Sequence, residues 1–206
     1  RPSFLFFKPL SAKKLKETTI NLGASFIKLA QVLATRADFF SKEYLDELKE
    51  LHDQLPSMSQ KDCNTIFYRA FKQNSFSSFD NTPIASASIG QVHVAFLKSG
   101  EKVAVKLRRM GIKEQVKADI KIINFFNTIF KPLFSHYTKN SIEAVVSEFS
   151  SMILQEVSLN NELGNLQKFS QTYKDSGIKF PKAFSEICSD DALVMSYEAL
   201  KRLARR

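Results

Sequence analysis

The fold is decided by EKVAVKL at residues 101–107, together with ASASIGQVH at residues 85–93. Residues 85–90 form a loop of small residues that leads into a strand over residues 91–97. A short turn then connects this strand to the stretch at residues 101–107. Side chains alternate between the two faces of a strand, so Ala104 and Lys106 share one face. The residues between and beside them share the other face, and all of those are apolar. The sequence therefore predicts an antiparallel hairpin with one apolar face and one face that carries a cation.

This hairpin resembles the one that covers the nucleotide phosphates in protein-kinase-like folds. In those folds a small residue lies against the adenine and a lysine on the adjoining strand lies beside the phosphates. Ala104 and Lys106 have these residue types at this spacing. A lysine in a strand is more often only solvated, and the hairpin alone does not decide between the two interpretations.

Composition limits the class of protein. The chain has 206 residues, of which 44% are hydrophobic, enough for one substantial core or two small ones. Its net charge of +9 favours a negatively charged partner such as a nucleotide, an anionic lipid or a nucleic acid. Most basic residues alternate with acids, and no nucleic-acid-binding motif is present, so we do not expect nucleic-acid binding. The two cysteines and three histidines have no metal-ligand spacing, which predicts no metal site within the chain.

Hydrophobic periodicity predicts an α+β chain. Three helices come first, followed by the hairpin, two more helices and a second hairpin. No apolar run approaches the roughly 20 residues that a membrane-spanning helix needs. The predicted elements are helices over 11–36, from Ser41 towards Pro56 and from Ser59 to Phe71, strands over 91–97 and 102–107, helices from Gly111 to Pro132 and over 140–169, and strands over 183–187 and 192–197 joined by a turn at Asp190 and Asp191.

Two carboxylates are candidates to pair with a strand lysine. Glu156 and Glu162 fall in the predicted 140–169 helix, and six residues of helix separate them by about 120° around its axis. They are therefore expected to serve two different lysines. A second lysine is available, because Lys28 and Gln31 form a narrow polar stripe on an otherwise apolar helix. Solvent exposure is the alternative for both glutamates and for the stripe.

The chain resembles the UbiB family, atypical protein-kinase-like proteins linked to coenzyme Q (ubiquinone) biosynthesis. LGASFIKLAQVLATRAD at residues 22–38 is similar to the family's signature helix, which reads Lys-x-Gly-Gln followed by Thr-Arg-x-Asp. EYLDEL at 43–48 and LHDQLP at 51–56 are similar to the next helix. ASASIGQVH resembles the family's alanine-rich nucleotide loop, and VAVK at 103–106 resembles its lysine strand. The resemblance covers nearly the whole chain in the family's order.

The resemblance implies a kinase-like N-lobe, a small antiparallel sheet with helices, over residues 81–198. A helical extension over 1–80 would precede it, a hinge and basic tail would follow over 199–206, and the C-lobe would be absent. Lys106 would bind the phosphates of ATP or ADP with Glu162 as its ion-pair partner, while Lys28, Gln31 and Glu156 would belong to a helix that folds over the site. The nucleotide would be held by Ala85, Ser86, Ala87, Ser88, Ile89, Gly90, Gln91, Ala104, Lys106 and Met195.

Three departures from the family pattern qualify these expectations. Ala30 stands where the signature has glycine, and Ser158 stands where the family's Glu-x-Asp motif has aspartate. The chain also stops just after LVMSYE at 193–198, which is similar to the hinge between lobes. The residues that bind Mg²⁺ belong to the second lobe, so the chain alone is expected to bind nucleotide weakly and to show no turnover.

The implied function is ATP binding with ATPase or kinase character in support of ubiquinone biosynthesis. We expect peripheral association with the cytoplasmic side of a bacterial inner membrane, or with the matrix face in a mitochondrion. A quinone-precursor or anionic lipid is an expected partner. Two alternatives stay open: a pseudo-kinase scaffold, indicated by Ala30 and Ser158, and a basic lipid-binding module, indicated by a ladder of Lys113, Lys117 and Lys121 beside apolar residues.

Overall fold

The computed structural model describes residues 9–51, 56–71 and 75–197. The chain divides into two compact units, one comprising residues 1–53 and 119–151 and the other comprising 54–118 and 152–206. In chain order the helices and strands are α1 (Ala12–Leu22), α2 (Ala24–Leu33), α3 (Lys42–Lys49), α4 (Gln60–Ala70), β1 (Phe76–Phe79), β2 (Ala85–Ser86), β3 (Gly90–Leu97), β4 (Lys102–Arg108), α5 (Ile112–Phe130), α6 (His136–Glu156), α7 (Leu159–Thr172) and β5 (Ala192–Ser196).

The first unit contains α1, α2 and α3, which pack against one another. The single helix predicted over 11–36 is wrong, because the chain breaks at Gly23. This glycine has φ +95°, a conformation that other residues avoid, and its N–H donates to the carbonyl of Ile20 to close α1. Ile27 and Ala30 on α2 are buried, so the alanine that replaces the family glycine lies in packed surroundings.

The second unit is built on a five-stranded antiparallel sheet with the order β1-β3-β4-β5, and β2 pairs with β3. The predicted hairpin is confirmed as β3 and β4. β1 was not predicted, because its sequence FSSF lies in a serine- and asparagine-rich segment. The strand predicted over 183–187 is wrong: Ala183 makes a single bridge to Met195, and Ser185–Ile187 forms a 3₁₀ turn.

The two faces of this sheet bury different sets of residues. One face packs against α4 through Cys63, Ile66, Val103, Val105 and Leu107, all nearly inaccessible. The other face carries a smaller cluster of Ala104, Leu159, Leu193 and Met195. The predicted cap of α4 is confirmed, since the Ser59 hydroxyl accepts from the Asp62 N–H at 3.1 Å.

The helix predicted over 140–169 is wrong as a single helix. It divides into α6 and α7 at Val157 and Ser158, and Ser158 has an extended backbone (φ −106°, ψ 110°). Glu156 therefore ends one helix and Glu162 lies in the first turn of the next. The 120° divergence worked out for one continuous axis does not apply.

The division into an extension over 1–80 and a lobe over 81–198 stays a prediction. The sheet nevertheless includes Phe76–Phe79, which precede the predicted boundary. Residues 119–151 belong to the same compact unit as residues 1–53. Within the described residues, no helix combines the length and the apolar character needed to span a bilayer.

Candidate functional site

A cavity of about 480 Å³ lies on the sheet face opposite α4. Its walls come from the small-residue loop, from β3, β4 and β5, from α7 and from the segment before β5. The lining residues are Ala85, Ala87, Gly90, Val92, Lys106, Glu162, Asn165, Leu166, Phe180, Pro181, Leu193 and Met195. Most of them are apolar, and Lys106 and Glu162 are the two charged residues among them.

Lys106 and Glu162 form an ion pair at the wall of this cavity. The ammonium Nζ of Lys106 donates to Oε2 of Glu162 at 2.6 Å. Lys106 sits in the middle of the sheet, opposite Val92 on β3 and Leu193 on β5, so its backbone is fixed on both sides. The side chains are 24% and 40% exposed, so both remain accessible to a ligand.

The loop before β3 lies close to the sheet at Gly90. A methyl group at this position would lie 2.5 Å from the carbonyl oxygen of Leu107, a separation that real side chains do not adopt. Glycine is therefore required by close approach, since its φ is not in the positive region. The N–H of Ala87 donates to the carbonyl of Gly90 at 2.8 Å, which closes the loop upon itself.

Arg109 ties this loop to the segment that precedes α4. Its guanidinium donates to the carbonyl of Ala87 at 2.8 Å, to the Ser86 hydroxyl at 2.8 Å and to the carbonyl of Pro56 at 2.7 Å. Burial lowers the pKa of Arg109 below its usual range, and the guanidinium is still charged at neutral pH. Sequence reasoning missed this anchor.

The predicted nucleotide-binding residues fall into two groups. Ala85, Ala87, Gly90, Lys106 and Met195 line the cavity. Residues outside its lining are Ser86, Ser88, Ile89, Gln91 and Ala104. Ala104 is fully buried beside Met195, its partner across the β4–β5 ladder.

Gln91 has a structural role on the opposite face of the sheet. Its side-chain oxygen accepts from the N–H of Met58 at 2.8 Å, and its amide nitrogen lies 2.7 Å from Nε2 of His93. His93 is fully buried, and its Nδ1 lies 2.8 Å from the carbonyl of Asp80. Burial lowers the pKa of His93. Because strand side chains alternate, Val92 rather than Gln91 faces the cavity.

Lys28 and Gln31 lie on α2 in the first unit, and Gln31 donates to the carbonyl of Leu51 at 3.1 Å. Glu156 closes α6 in the second unit. Their predicted roles, including a pair between Lys28 and Glu156, stay predictions.

A network of charges adjoins the site and was missed from the sequence. Arg108 is 7% exposed and donates to Asp190 at 2.7 Å, to Asp191 and to the carbonyl of Val157 at 3.0 Å. Ser158 donates to Asp190 at 2.6 Å, so the serine that replaces the family aspartate finds a carboxylate as its own partner. The turn predicted at Asp190 and Asp191 is confirmed, whereas their ion pairs were not predicted.

Asp190 is held strongly in its charged form. Burial raises the pKa of this carboxyl, but hydrogen bonds from Lys113, Ser158 and Arg108 outweigh burial and lower it to about 2. Since Lys113 lies 2.8 Å from Asp190, it is not part of a solvated ladder with Lys117 and Lys121. Across residues 9–51, 56–71 and 75–197, no group of three or more His, Cys, Asp or Glu side chains could hold a metal ion.

Known proteins resemble this chain in sequence. Residues 50–203 match the ABC1 atypical kinase-like domain. The chain belongs to the ABC1 atypical kinase-like family. It is 33% identical to the probable protein kinase UbiB of Shewanella loihica, over 90% of this chain and 35% of that protein. It is 34% identical to ACTIVITY OF BC1 COMPLEX KINASE 8 of Arabidopsis thaliana, over 90% of this chain and 25% of that protein.

Another relative is an uncharacterised protein in the hydrogenase 1 5′ region of Clostridium pasteurianum, 35% identical over 90% of this chain and 36% of its own length. The chain thus spans about a quarter to a third of the curated relatives it matches. Among solved structures it resembles Rv3197 of Mycobacterium tuberculosis, determined in complex with erythromycin. The TM-score is 0.57 at 24% identity, over 85% of this chain and 44% of that one, and this likeness concerns the fold alone. The prediction of a kinase-like fold in the UbiB family is confirmed.

Proposed function

We propose that the ABC1-type cavity binds ATP, with Lys106 on the α- and β-phosphates and Glu162 holding the lysine in place. The observation that carries this proposal is the 2.6 Å ion pair at the wall of an otherwise apolar cavity. An ammonium held by a carboxylate beside a small-residue loop is the arrangement that kinase-like proteins use to position phosphates.

The strand register supports the placement of the adenine. Lys106 lies opposite Leu193, and Met195 lies two residues farther along β5 on the same face, a distance of about 7 Å. Met195 lies opposite Ala104, the small residue that kinase-like proteins have two positions before the strand lysine. An adenine next to Met195 would place its phosphates towards Lys106, and the apolar lining suits a flat heterocycle.

Membership of the ABC1 family and relatives named probable protein kinase UbiB support a kinase-like role, which we propose serves ubiquinone biosynthesis. We extend this to ATPase or phosphotransferase activity of the longer protein, peripherally associated with a membrane where quinone precursors reside. The expected side is the cytoplasmic face of a bacterial inner membrane or the matrix face in a mitochondrion. Each of these finer statements is part of the proposal.

Mg²⁺ would accompany the nucleotide. In kinase-like proteins its ligands are an asparagine and an aspartate that follow the hinge. Glu162 and Lys106 are engaged with each other, so the described residues supply the phosphate contact rather than the metal ligands. We therefore expect the 206-residue chain alone to bind nucleotide weakly and without turnover.

Titration of a fluorescent ATP analogue into the chain, and into the longer protein, tests the proposal. Lys106→Ala is expected to weaken binding by about 10–100-fold, the loss of one charge-assisted contact. The control is Lys98→Ala, which removes the same charge from the exposed turn between β3 and β4. Equal nucleotide affinity in the Lys106→Ala and Lys98→Ala variants would contradict the proposed role of Lys106. A metal-dependent ATPase activity of the 206-residue chain that Lys106→Ala abolishes would contradict the expectation that this chain shows no turnover.

The pseudo-kinase scaffold is the remaining candidate for the nucleotide site. It would be favoured if wild type and Lys106→Ala both failed to bind nucleotide in the longer protein. The structure gives Ser158 a structural partner in Asp190, so this substitution alone does not indicate a disabled site.

A further inference from the structure

A continuous apolar face is exposed along the second half of α5 and the start of α6. Eight large apolar or aromatic side chains between residues 122 and 137 are 39–75% exposed. They recur at spacings of three and four, which places them on one side of the helix through Phe130 and of the 3₁₀ turn that follows at Lys131–Leu133. The members of this face are Ile122, Phe125, Phe126, Ile129, Phe130, Leu133, Phe134 and Tyr137.

This face is larger than an ordinary soluble protein exposes. At about 200 Å² for each full side chain, the exposed fractions sum to roughly 800 Å². The largest apolar patch on a typical monomer is about 300–600 Å². Five of the eight side chains are aromatic and four of these are phenylalanines, a composition found on the apolar face of helices that lie in a membrane interface.

The charges around the face point to one kind of partner. Between Asp119 and Glu143 the sequence contains no acidic residue and three lysines, Lys121, Lys131 and Lys139. Lys131 reaches Glu143 across the turn, and Lys121 is exposed. A second copy of the chain would set lysines against lysines, whereas an anionic bilayer supplies both the opposite charge and an apolar layer.

We propose that the 122–137 face inserts into the interface of an anionic lipid bilayer. The helix would lie in the plane of the membrane, with its aromatic residues among the acyl chains and its lysines at the headgroups. The inference names a surface for the proposed membrane association and does not depend on nucleotide binding. It also replaces the predicted ladder, because Lys113 is bound to Asp190.

The absence of tryptophan from the sequence makes a direct test possible. Phe126→Trp introduces a single reporter in the face, and Tyr68→Trp introduces one on α4 at a residue that is 72% exposed. Either variant of the 206-residue chain is mixed with phosphatidylcholine vesicles that contain no anionic lipid or about 30–40% phosphatidylglycerol, and binding of the longer protein to the same vesicles is measured by co-sedimentation. We expect a blue shift for Phe126→Trp on anionic vesicles, a smaller one on neutral vesicles, and none for Tyr68→Trp.

Substitution tests the same surface without a probe. Phe126→Asp with Phe130→Asp is expected to reduce co-sedimentation with anionic vesicles at least about tenfold, since charged side chains resist insertion. Phe169→Asp on α7, a residue 49% exposed, is the matched control. Nucleotide titration of each variant separates this result from the fate of the ATP site.

No shift at Phe126→Trp, or co-sedimentation unchanged by the double substitution, would overturn the proposal. An equal shift at Tyr68→Trp would also overturn it, because binding would then be unspecific. Membrane binding by the 206-residue chain that is lost in the longer protein would show that the rest of the protein covers the face, and would likewise overturn it.

Discussion

Replacing Gly90 by alanine tests whether close packing of the loop against the sheet determines both stability and nucleotide binding. Gly90 begins β3, pairs with Arg108 and lines the cavity. An alanine Cβ would lie 2.5 Å from the Leu107 carbonyl oxygen and 3.4 Å from its carbonyl carbon. Both atoms are backbone, so no flexible side chain can move aside.

The magnitude follows from the size of the overlap. Acceptable contact needs roughly 3.2 Å or more, so β3 and β4 would have to separate by about 0.7 Å at this point. Insertion of one methyl group into a tightly packed site typically costs about 1–3 kcal/mol. Since the overlap is with backbone inside a hydrogen-bonded ladder, we expect about 2–3 kcal/mol of lost stability.

Gly164→Ala is the matched control. Gly164 lies inside α7, and its added methyl group would meet nothing within 4 Å. Alanine is favoured over glycine in a helix by about 0.5–1 kcal/mol, so this variant should be more stable than wild type. The same glycine-to-alanine change is therefore expected to lower stability at Gly90 and to raise it at Gly164.

Urea unfolding followed by circular dichroism measures both variants, and a fluorescent ATP analogue measures the site. We expect a lower midpoint and weaker nucleotide binding for Gly90→Ala, and a higher midpoint with unchanged binding for Gly164→Ala. A Gly90→Ala midpoint equal to or above that of wild type would refute the packing argument. A lower midpoint with intact nucleotide binding would refute the link between the loop and the site.

Two further predictions concern the charge network. Arg108→Met should lower the free energy of unfolding, measured by urea titration, by about 3 kcal/mol. This is the low end of the cost of breaking a buried ion pair, because Asp190 keeps Lys113 and Asp191 keeps Arg69 as a second cation. A loss below about 1 kcal/mol would contradict this prediction. Asp190 has a folded-state pKa of about 2, below its usual 3.8, so its contribution is present above about pH 4 and is lost as pH falls towards 2. With its 30% exposure taken into account, this contribution is about 1–2 kcal/mol. Between pH 5 and pH 2 the free energy of unfolding of the Asp190→Asn variant should therefore fall by less than that of wild type. An equal fall in both proteins would contradict the stabilising role of the charged Asp190.

The parts of the site that lie on β4 were predictable from local sequence. Alternation in VAVK placed Ala104 and Lys106 on one face, and the structure has that division. The failures lie where long-range contacts decide. Apolar spacing continues through residue 157, and nothing nearby requires the helix to stop there. Where α6 ends, the carbonyl of Val157 accepts a hydrogen bond from Arg108, which lies 49 residues away in sequence.

Gln91 shows a second limit of local reasoning. It belongs to the stretch that resembles the nucleotide loop, and the resemblance therefore predicts that it binds nucleotide together with its neighbours. Strand alternation begins at Gly90, however, so Gln91 points towards α4 and Val92 points into the cavity. The length of the loop before the first strand residue determines which side chain faces which way, and a shift by one residue exchanges them. Phe180 and Pro181 were missed because they come from an irregular segment with no periodic pattern.

The position of Glu162 depends on two contacts made by one strand. Lys106 and Arg108 are two residues apart on β4, so they lie on the same face about 7 Å apart. Arg108 binds the carbonyl of Val157 where α6 ends, and Lys106 binds Glu162 in the first turn of α7. The strand thus holds the start of α7 at both of these points. Removing Arg108 releases one of them, so Arg108→Met should weaken nucleotide binding as well as stability, although Arg108 does not line the cavity. The effect on binding should vanish in the Lys106→Ala background, since Arg108 acts on the phosphate site only through the placement of Glu162 against that lysine.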